Sequence, residues 1–223
     1  MINNLSNSKD LNLNFESCAF IGAMYGEKST LVGRELNKMF HARMNVVFIR
    51  HKTDTRWPGR KAKNHDGAVV FKGLNISASS SAEVNQLVTK GDYRAIGIDE
   101  LQFYDAGIIK VIRKFIHQGR IVFVAALDTD FMGRPFKITT RLMEIPEMQI
   151  HKCRPICVVS GQLATRTIKV KNKQIIFGDS KRIEVGGKDK YVPVCLSIFN
   201  RAKKNQLTHE ELSIIFSWSK NKF

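Results

Sequence analysis

Short apolar runs recur between residues 18 and 126 and are separated by segments with helical spacing. The runs at 18–22, 45–50, 68–71, 95–98 and 121–126 predict buried strands. Helical spacing over 28–41 and 105–117 predicts two helices, and a capping box formed by Ser80 and Glu83 predicts the start of a third. Strands that alternate with helices of this length predict an α/β fold with a parallel, helix-covered sheet.

The pattern changes after about residue 150. Short β-like runs at 156–159, 167–170, 174–177 and 182–185, separated by Gly, Asn and Lys, predict a small β-rich appendage. Residues 201–206 are typical of a polar linker, and a second capping box, Thr208 with Glu211, predicts a C-terminal helix. We expect a flexible N-terminal arm (1–17), an α/β domain (18–150), the appendage (151–200), and a basic linker with a helix (201–223).

The net charge changes the range of partners to consider. It is +16 over 223 residues, and residues 134–223 hold 18 basic and 7 acidic side chains, a net charge of +11. A basic enzyme and a protein that binds a polyanion such as RNA both fit this charge. There is no apolar run of the roughly 20 residues that a membrane span needs, and no secretory signal pattern, so we expect a cytoplasmic protein.

The first strand ends in a sequence that resembles a phosphate-binding loop. Gly22, Lys28 and Ser29 have the spacing of a P-loop between a strand and a helix. In such a loop backbone N–H groups surround the phosphates, the lysine reaches the β and γ oxygens, and the hydroxyl binds Mg²⁺. Glu27 stands where the pattern has glycine, and it adds a side chain and a negative charge. An ordinary strand–turn–helix junction is the alternative.

An acidic pair follows the strand predicted over 95–98. Asp99 and Glu100 would lie at the carboxyl edge of a parallel sheet, where α/β proteins place their chemistry. One carboxylate can hold Mg²⁺ and the other can act as a general base on a hydroxyl nucleophile. A solvated strand end is the alternative, and the phosphate-loop pattern upstream makes that alternative weaker.

Together these motifs resemble the type II thymidine kinases, closest to the bacterial form. The resemblance covers residues 18–199 and rests on segments that keep their order in the chain: 22–30, 54–56, 64–67, 98–103, 126–136, 156–160 with 164–167, and 185–191. It implies a P-loop, RecA-like parallel sheet flanked by helices, with a small β-rich lasso domain over 151–200. It also implies ATP and Mg²⁺ as cofactors, thymidine as substrate, and a homotetramer.

The resemblance assigns roles residue by residue. Gly22 and Lys28 would contact the nucleotide, Ser29 and Asp99 would hold Mg²⁺, Glu100 would be the general base, and Arg56 would act on the transferred phosphate. Phe131 would pack against thymine, and the remaining substrate contacts would come from Tyr191, Val185 and Gly186. For Phe131, ordinary core packing is the alternative.

The chain departs from the family pattern at its expected zinc site. A structural zinc ion needs four ligands. Here Cys157 and Cys195 are retained, but their partners are Ser160 and Ile198, so we expect no zinc. A rearranged site that adds Cys153 and His151 is a less favoured alternative. Lys137 and Arg134 replace a glycine and an acidic residue of the family pattern and add positive charge near the expected substrate entrance.

Two functions remain open at this point. The first is a thymidine kinase that uses ATP and Mg²⁺, and it rests on the retained site residues. The second is a catalytically inactive homologue that serves as a basic RNA-binding or structural subunit of a ribonucleoprotein. Glu27, the incomplete cysteine set and the charge of +11 over residues 134–223 favour the second function.

Overall fold

The computed structural model describes residues 16–54, 62–63, 68–178 and 191–219. The elements in chain order are β1 (Ser17–Gly22), α1 (Lys28–His41), β2 (Val46–His51), β3 (Ala62–Lys63), β4 (Val69–Phe71), β5 (Leu74–Ala78), α2 (Ser81–Gly91), β6 (Ala95–Ile98), a 3-10 turn (Leu101–Phe103), α3 (Ile108–His117), β7 (Ile121–Ala126), α4 (Lys137–Leu142), β8 (Met148–Cys153), β9 (Arg166–Lys171), β10 (Gln174–Ile176), β11 (Tyr191–Val194), α5 (Leu196–Lys203) and α6 (His209–Trp218).

Six strands form one sheet in the order β5–β2–β6–β7–β1–β8, and every neighbouring pair is parallel. Only β7 separates β1 from β6, so the segments that follow β1 and β6 leave the sheet at the same edge. This arrangement confirms the predicted α/β class with a parallel sheet. Among the described residues no helix has both the length and the apolar composition needed to cross a bilayer.

Both faces of the sheet are buried at its four central strands, β1, β2, β6 and β7, which explains why these strands are largely apolar. Alternate residues of β1 point to opposite faces: Ile21 packs with the α2 and α3 side, and Phe20 packs with the α1 side. On the α1 side the helix contributes a fully buried stripe, Val32, Leu36 and Met39. The two helix layers therefore fix which way each strand faces.

A separate antiparallel sheet follows, in the order β10–β9–β11. Its two faces differ. Ile168 and Val170 lie in a second core, which we call the lasso core and which includes Ile198 of α5 and Ile215 of α6. The opposite face carries the alternate residues of β9. This sheet confirms the predicted β-rich lasso.

The structure corrects several predictions for the second half of the chain. The run at 156–159 is not a strand, and only Ile156 forms an isolated bridge, to Leu163. The linker predicted over 201–206 begins inside a helix, because α5 continues to Lys203. The run at 182–185 lies outside the described residues. The predicted domain boundary at residue 150 falls within β8, which pairs with β1 along its whole length.

Both capping boxes predicted from sequence lie at helix starts. Thr208 Oγ1 accepts the Glu211 N–H at 3.2 Å, and the Glu211 carboxylate accepts the Thr208 N–H at 2.9 Å, so α6 has the complete motif. At α2, Ser80 Oγ accepts the Glu83 N–H at 3.2 Å. The Glu83 carboxylate, however, accepts the backbone N–H of Ser79 at 2.8 Å. In the α2 box, the hydrogen bond to the Glu83 carboxylate therefore comes from Ser79, one residue before the N-cap Ser80.

Candidate active site

The loop that follows β1 passes very close to the end of β8. A Cβ atom at Gly22 would lie 1.9 Å from the carbonyl oxygen of Cys153, so only glycine fits at this position. Gly26 is similarly restricted, with a built Cβ 2.9 Å from the same oxygen. The helix α1 then begins at Lys28, and its N-terminal amides are directed at the loop, which is the geometry that binds phosphate. We call residues 22–28 the phosphate loop.

Glu27 adopts a backbone conformation that normally favours glycine. Its φ is 53° and its ψ is 22°, in the left-handed region, where a non-glycine residue costs roughly 1–2 kcal/mol. The side chain is exposed. The glycine of the P-loop pattern therefore has a conformational reason, and the chain accommodates glutamate here by accepting strain in the backbone.

Lys28 lies inside the loop. Its ammonium donates a hydrogen bond to the carbonyl oxygen of Ala23 at 2.6 Å, which folds the side chain back across the loop. Burial lowers the pKa of the Lys28 ammonium, and nearby negative charges, Glu100 foremost, offset part of that shift. The Lys28 ammonium is thus held by the loop and lies within the electrostatic influence of the acidic pair, and its contact with phosphate oxygens stays a prediction.

Ser29 and Asp99 meet although 70 positions separate them in the chain. Ser29 Oγ donates to Asp99 Oδ1 at 2.8 Å, and the same oxygen accepts the backbone N–H of Glu100 at 3.0 Å. Asp99 is buried, with 3% of its surface exposed. A hydroxyl and a carboxylate oxygen side by side are ligands that suit Mg²⁺, which completes its shell with water and substrate phosphates. The donor set therefore fits the predicted ion.

Glu100 is held by Gln102, a residue for which the motifs predicted no role. Gln102 is 4% exposed, and its amide nitrogen donates to Glu100 Oε2 at 2.5 Å. Its amide oxygen accepts the backbone N–H of Leu127, the residue after β7, at 3.0 Å. Gln102 therefore joins the Glu100 carboxylate to the next strand of the sheet. The sequence feature that could have indicated this contact is a glutamine two residues after an acidic pair, at the end of a buried strand.

Phe131 lies on a loop that its own side chains hold rigid. The Asp130 carboxylate accepts the backbone N–H groups of Met132 and Arg134, and it pairs with the Arg134 guanidinium at 2.9 Å. Arg134 thus stabilises this turn in addition to any charge that it brings to the site. Phe131 itself is only 4% exposed.

The lasso sheet contributes a buried lysine beside Phe131. Lys169 is 1% exposed, and its ammonium lies 5.1 Å from the centroid of the Phe131 ring, a cation–π contact. Tyr191 is the cross-strand partner of Lys169, so their side chains are on the same face of the sheet. The structure thus brings Phe131 and Tyr191 together through Lys169. A lysine in an alternating strand looks solvent-facing in sequence, which is why it was missed.

Three predicted site residues lie outside the described residues. They are Arg56, Val185 and Gly186. Their roles stay predictions.

The lasso cysteines have polar neighbours. Cys195 Sγ lies 3.5 Å from Ser160 Oγ and 3.1 Å from Ser197 Oγ. Burial raises the pKa of the Cys195 thiol, but hydrogen bonds with Ser160, Ser197, the backbone of Ile198 and Cys157 together lower the pKa to about 7. In the described parts of the chain, no group of three or more His, Cys, Asp or Glu side chains is placed to hold a metal ion.

Cys153 belongs to a different part of the molecule from the lasso cysteines. It packs in the core on the α1 side of the main sheet, whereas Cys157 and Cys195 belong to the lasso core. His151, on the same strand, stacks on Phe20 with ring centroids 5.3 Å apart. A rearranged site that recruits Cys153 and His151 is therefore not formed in this structure.

The fold and the site together define a P-loop-like α/β protein with an acidic pair facing its phosphate loop. The family model for thymidine kinase matches residues 18–199. A thymidine kinase from Mycoplasma capricolum subsp. capricolum is 32% identical over 188 residues, a stretch that covers 82% of this chain and 88% of the relative. The chain therefore belongs to the thymidine kinase family, which confirms the resemblance of its motifs.

We predict that the purified protein contains far less than one zinc ion per chain. Two thiols and two hydroxyls do not supply the four strong ligands of a structural site. Elemental analysis after purification without chelator, and again after zinc addition and desalting, measures the stoichiometry. One zinc ion per chain, lost together with thermal stability in Cys157→Ser, would show that the ligand set is complete.

Proposed function

We propose that this protein is an active thymidine kinase, which transfers the γ-phosphate of ATP to the 5′-hydroxyl of thymidine. The observation that carries the proposal is the continuous set of contacts from Ser29 through Asp99 to Glu100 and Gln102, at the mouth of the phosphate loop. A pseudoenzyme has no need for an acidic pair that is hydrogen-bonded on both carboxylates and includes a buried Asp99.

The phosphate loop would bind the nucleotide. The amides at the start of α1 and the Lys28 ammonium would hold the β- and γ-phosphates. To reach them, the ammonium exchanges its hydrogen bond to Ala23 for phosphate oxygens. Ser29 and Asp99 would hold Mg²⁺. When bound, this ion supplies positive charge to the phosphate oxygens as the bond to the leaving ADP breaks.

Glu100 would act as the general base. Its carboxylate takes the proton of the thymidine 5′-hydroxyl as that oxygen forms a bond to the γ-phosphorus and the bond to ADP breaks. Gln102 holds Oε2, so the other carboxylate oxygen remains in a defined orientation for this proton. Gln102 is itself held by the backbone of Leu127. The rigid sheet therefore fixes the orientation of the Glu100 carboxylate.

Thymidine would lie between the phosphate loop and the lasso sheet. The buried group formed by Phe131, Lys169 and Tyr191 supports this placement, because it joins the loop after β7 to the lasso. On the resemblance we also propose that Val185 and Gly186 line the base, that Arg56 acts on the transferred phosphate, and that the protein is a homotetramer.

Purified protein should phosphorylate thymidine, and Glu100→Gln should lower kcat by about 10²–10⁴-fold with little change in either KM, because the base is lost and the shape is kept. Steady-state assays with labelled thymidine measure this loss. Glu144→Gln, an exposed change of the same chemistry after α4, is the control and should keep full activity.

Glu27→Gly completes this experiment. Relief of the left-handed strain should lower the KM for ATP by no more than about fivefold, the equivalent of roughly 1 kcal/mol. Turnover that appears only in Glu27→Gly would contradict an active wild type and identify Glu27 as the lesion. No turnover in either protein would mean that the family's activity has been lost.

Gln102→Glu should shift the pH dependence of kcat/KM for thymidine. A second carboxylate beside Glu100 raises the pKa of the pair, so the base stays protonated to a higher pH and the acidic limb moves upward. Because the base must be ionised, activity below that pKa falls and activity well above it recovers. Gln162→Glu, an exposed change in the lasso, serves as the matched control. An unshifted acidic limb would separate Gln102 from the base.

A second proposed function, RNA binding, rests on the charge of the C-terminal part. Residues 134–223 have a net charge of +11, and Lys171, Lys173, Lys203 and Lys204 are exposed. Affinity for mixed-sequence RNA, measured by fluorescence anisotropy, should fall steeply between low and high salt, because phosphate contacts release counterions. Absence of binding at low salt would rule this function out.

A further inference from the structure

The phosphate loop is held by elements outside its own strand and helix. The backbone N–H of Met24 donates to Thr167 Oγ1 of β9 at 3.2 Å. On another side, Gly22 and Gly26 lie against the carbonyl oxygen of Cys153 at the end of β8. The loop thus has contacts to the lasso sheet and to the edge strand of the main sheet.

A third contact comes from the last turn of α6. The rings of Tyr25 and Trp218 meet edge to face, with centroids 5.0 Å apart and planes at 82°. This is the favoured geometry for an aromatic pair. Trp218 is the last residue of α6, and that helix lies beyond residues 18–199, the part matched by the family model.

The helix α6 is anchored firmly enough to position a side chain. Ile215 is fully buried in the lasso core, and Phe216 packs against the same core. The first turn is fixed by the capping box at Thr208, and Glu211 pairs with Arg201 of α5. Trp218 is therefore presented to the loop from a helix that is fixed at its start and along one face.

The loop needs such support because its backbone is strained. Tyr25 has a φ of 68° and Glu27 a φ of 53°, both left-handed conformations without glycine. Such residues persist only where the surroundings hold them. Relaxation of Tyr25 to an ordinary conformation would redirect the backbone amides around it. Another element can prevent this relaxation by a contact with the ring of Tyr25.

We propose that Trp218 is a positioning residue for nucleotide binding: through Tyr25, it keeps the phosphate loop in its phosphate-binding conformation. The affinity for nucleotide then depends on the docking of α6. The proposal rests on the proposed function in that ATP is taken as the ligand of the loop. Since apparent affinity falls with the fraction of molecules in the competent conformation, the contact should act on ATP and leave thymidine unaffected.

The first test needs no nucleotide. Hydrogen–deuterium exchange of amides 22–28 should be faster in Trp218→Ala than in the wild type, while Trp218→Phe, which keeps an aromatic ring, should restore most of the protection. Ser217→Ala, an exposed change in the same turn of α6, is the matched control and should leave loop exchange unchanged. Unchanged loop exchange in Trp218→Ala would overturn the proposal.

The second test uses turnover. Trp218→Ala should raise the KM for ATP by about three- to tenfold, the range expected for one aromatic pair, with the KM for thymidine unchanged. Tyr25→Ala should have the same effect, and the double variant should be no worse than either single one. Equal changes in both KM values, or additive effects in the double variant, would contradict the proposal.

The two tests separate failure of the proposal from failure of the proposed function. A wild type without turnover would contradict kinase activity, and the exchange experiment would still decide whether Trp218 holds the loop. If Trp218→Ala unfolds α6, exchange over 209–218 reports it, and Tyr25→Ala then tests the contact from the loop side with α6 intact.

Discussion

The hydrogen bond from Ser29 to Asp99 is the contact on which the site depends. It joins the loop after β1 to the end of β6 at 2.8 Å, although the two residues are 70 positions apart. The contact is available because the parallel order of the sheet brings the ends of β1 and β6 to one edge, with only β7 between them. Lys28 and Glu100 are the chain neighbours of these two residues. The same hydrogen bond therefore also brings them, and the expected position of the metal ion, to this edge.

Rigidity at this edge is supplied by residues next to the predicted site residues. Gln102 connects the Glu100 carboxylate to the backbone after β7 through hydrogen bonds. Asp130 holds the turn that carries Phe131. The lasso sheet contacts the phosphate loop through Thr167, which bonds Met24. The helix α6 contacts the loop through Trp218, which packs against Tyr25. The lasso is therefore in contact with the phosphate loop as well as with the loop that carries Phe131.

Glu27 shows how the chain tolerates a departure from its family pattern. The position requires a left-handed backbone, which glycine adopts freely and glutamate adopts with strain. Because the side chain is exposed, the strain has no accompanying clash in the core. The lasso departs in a different way, since Ser160 and Ser197 surround Cys195 with hydroxyl groups.

Local pattern determined much of this protein: the apolar runs defined β1, β6 and β7, and the capping boxes defined the starts of α2 and α6. Motif spacing predicted a site at Lys28, Ser29, Asp99 and Glu100, and the fold brings Ser29 and Asp99 together. Short or polar elements such as β8 and α5 escaped it, because long-range pairing and burial stabilise them more than local periodicity does. Only the tertiary structure brought Gln102 to Leu127, Lys169 to Phe131 and Trp218 to Tyr25. A buried amide, a buried lysine and a helix-end tryptophan look ordinary in sequence, because their contacts depend on the distant residues that packing brings beside them.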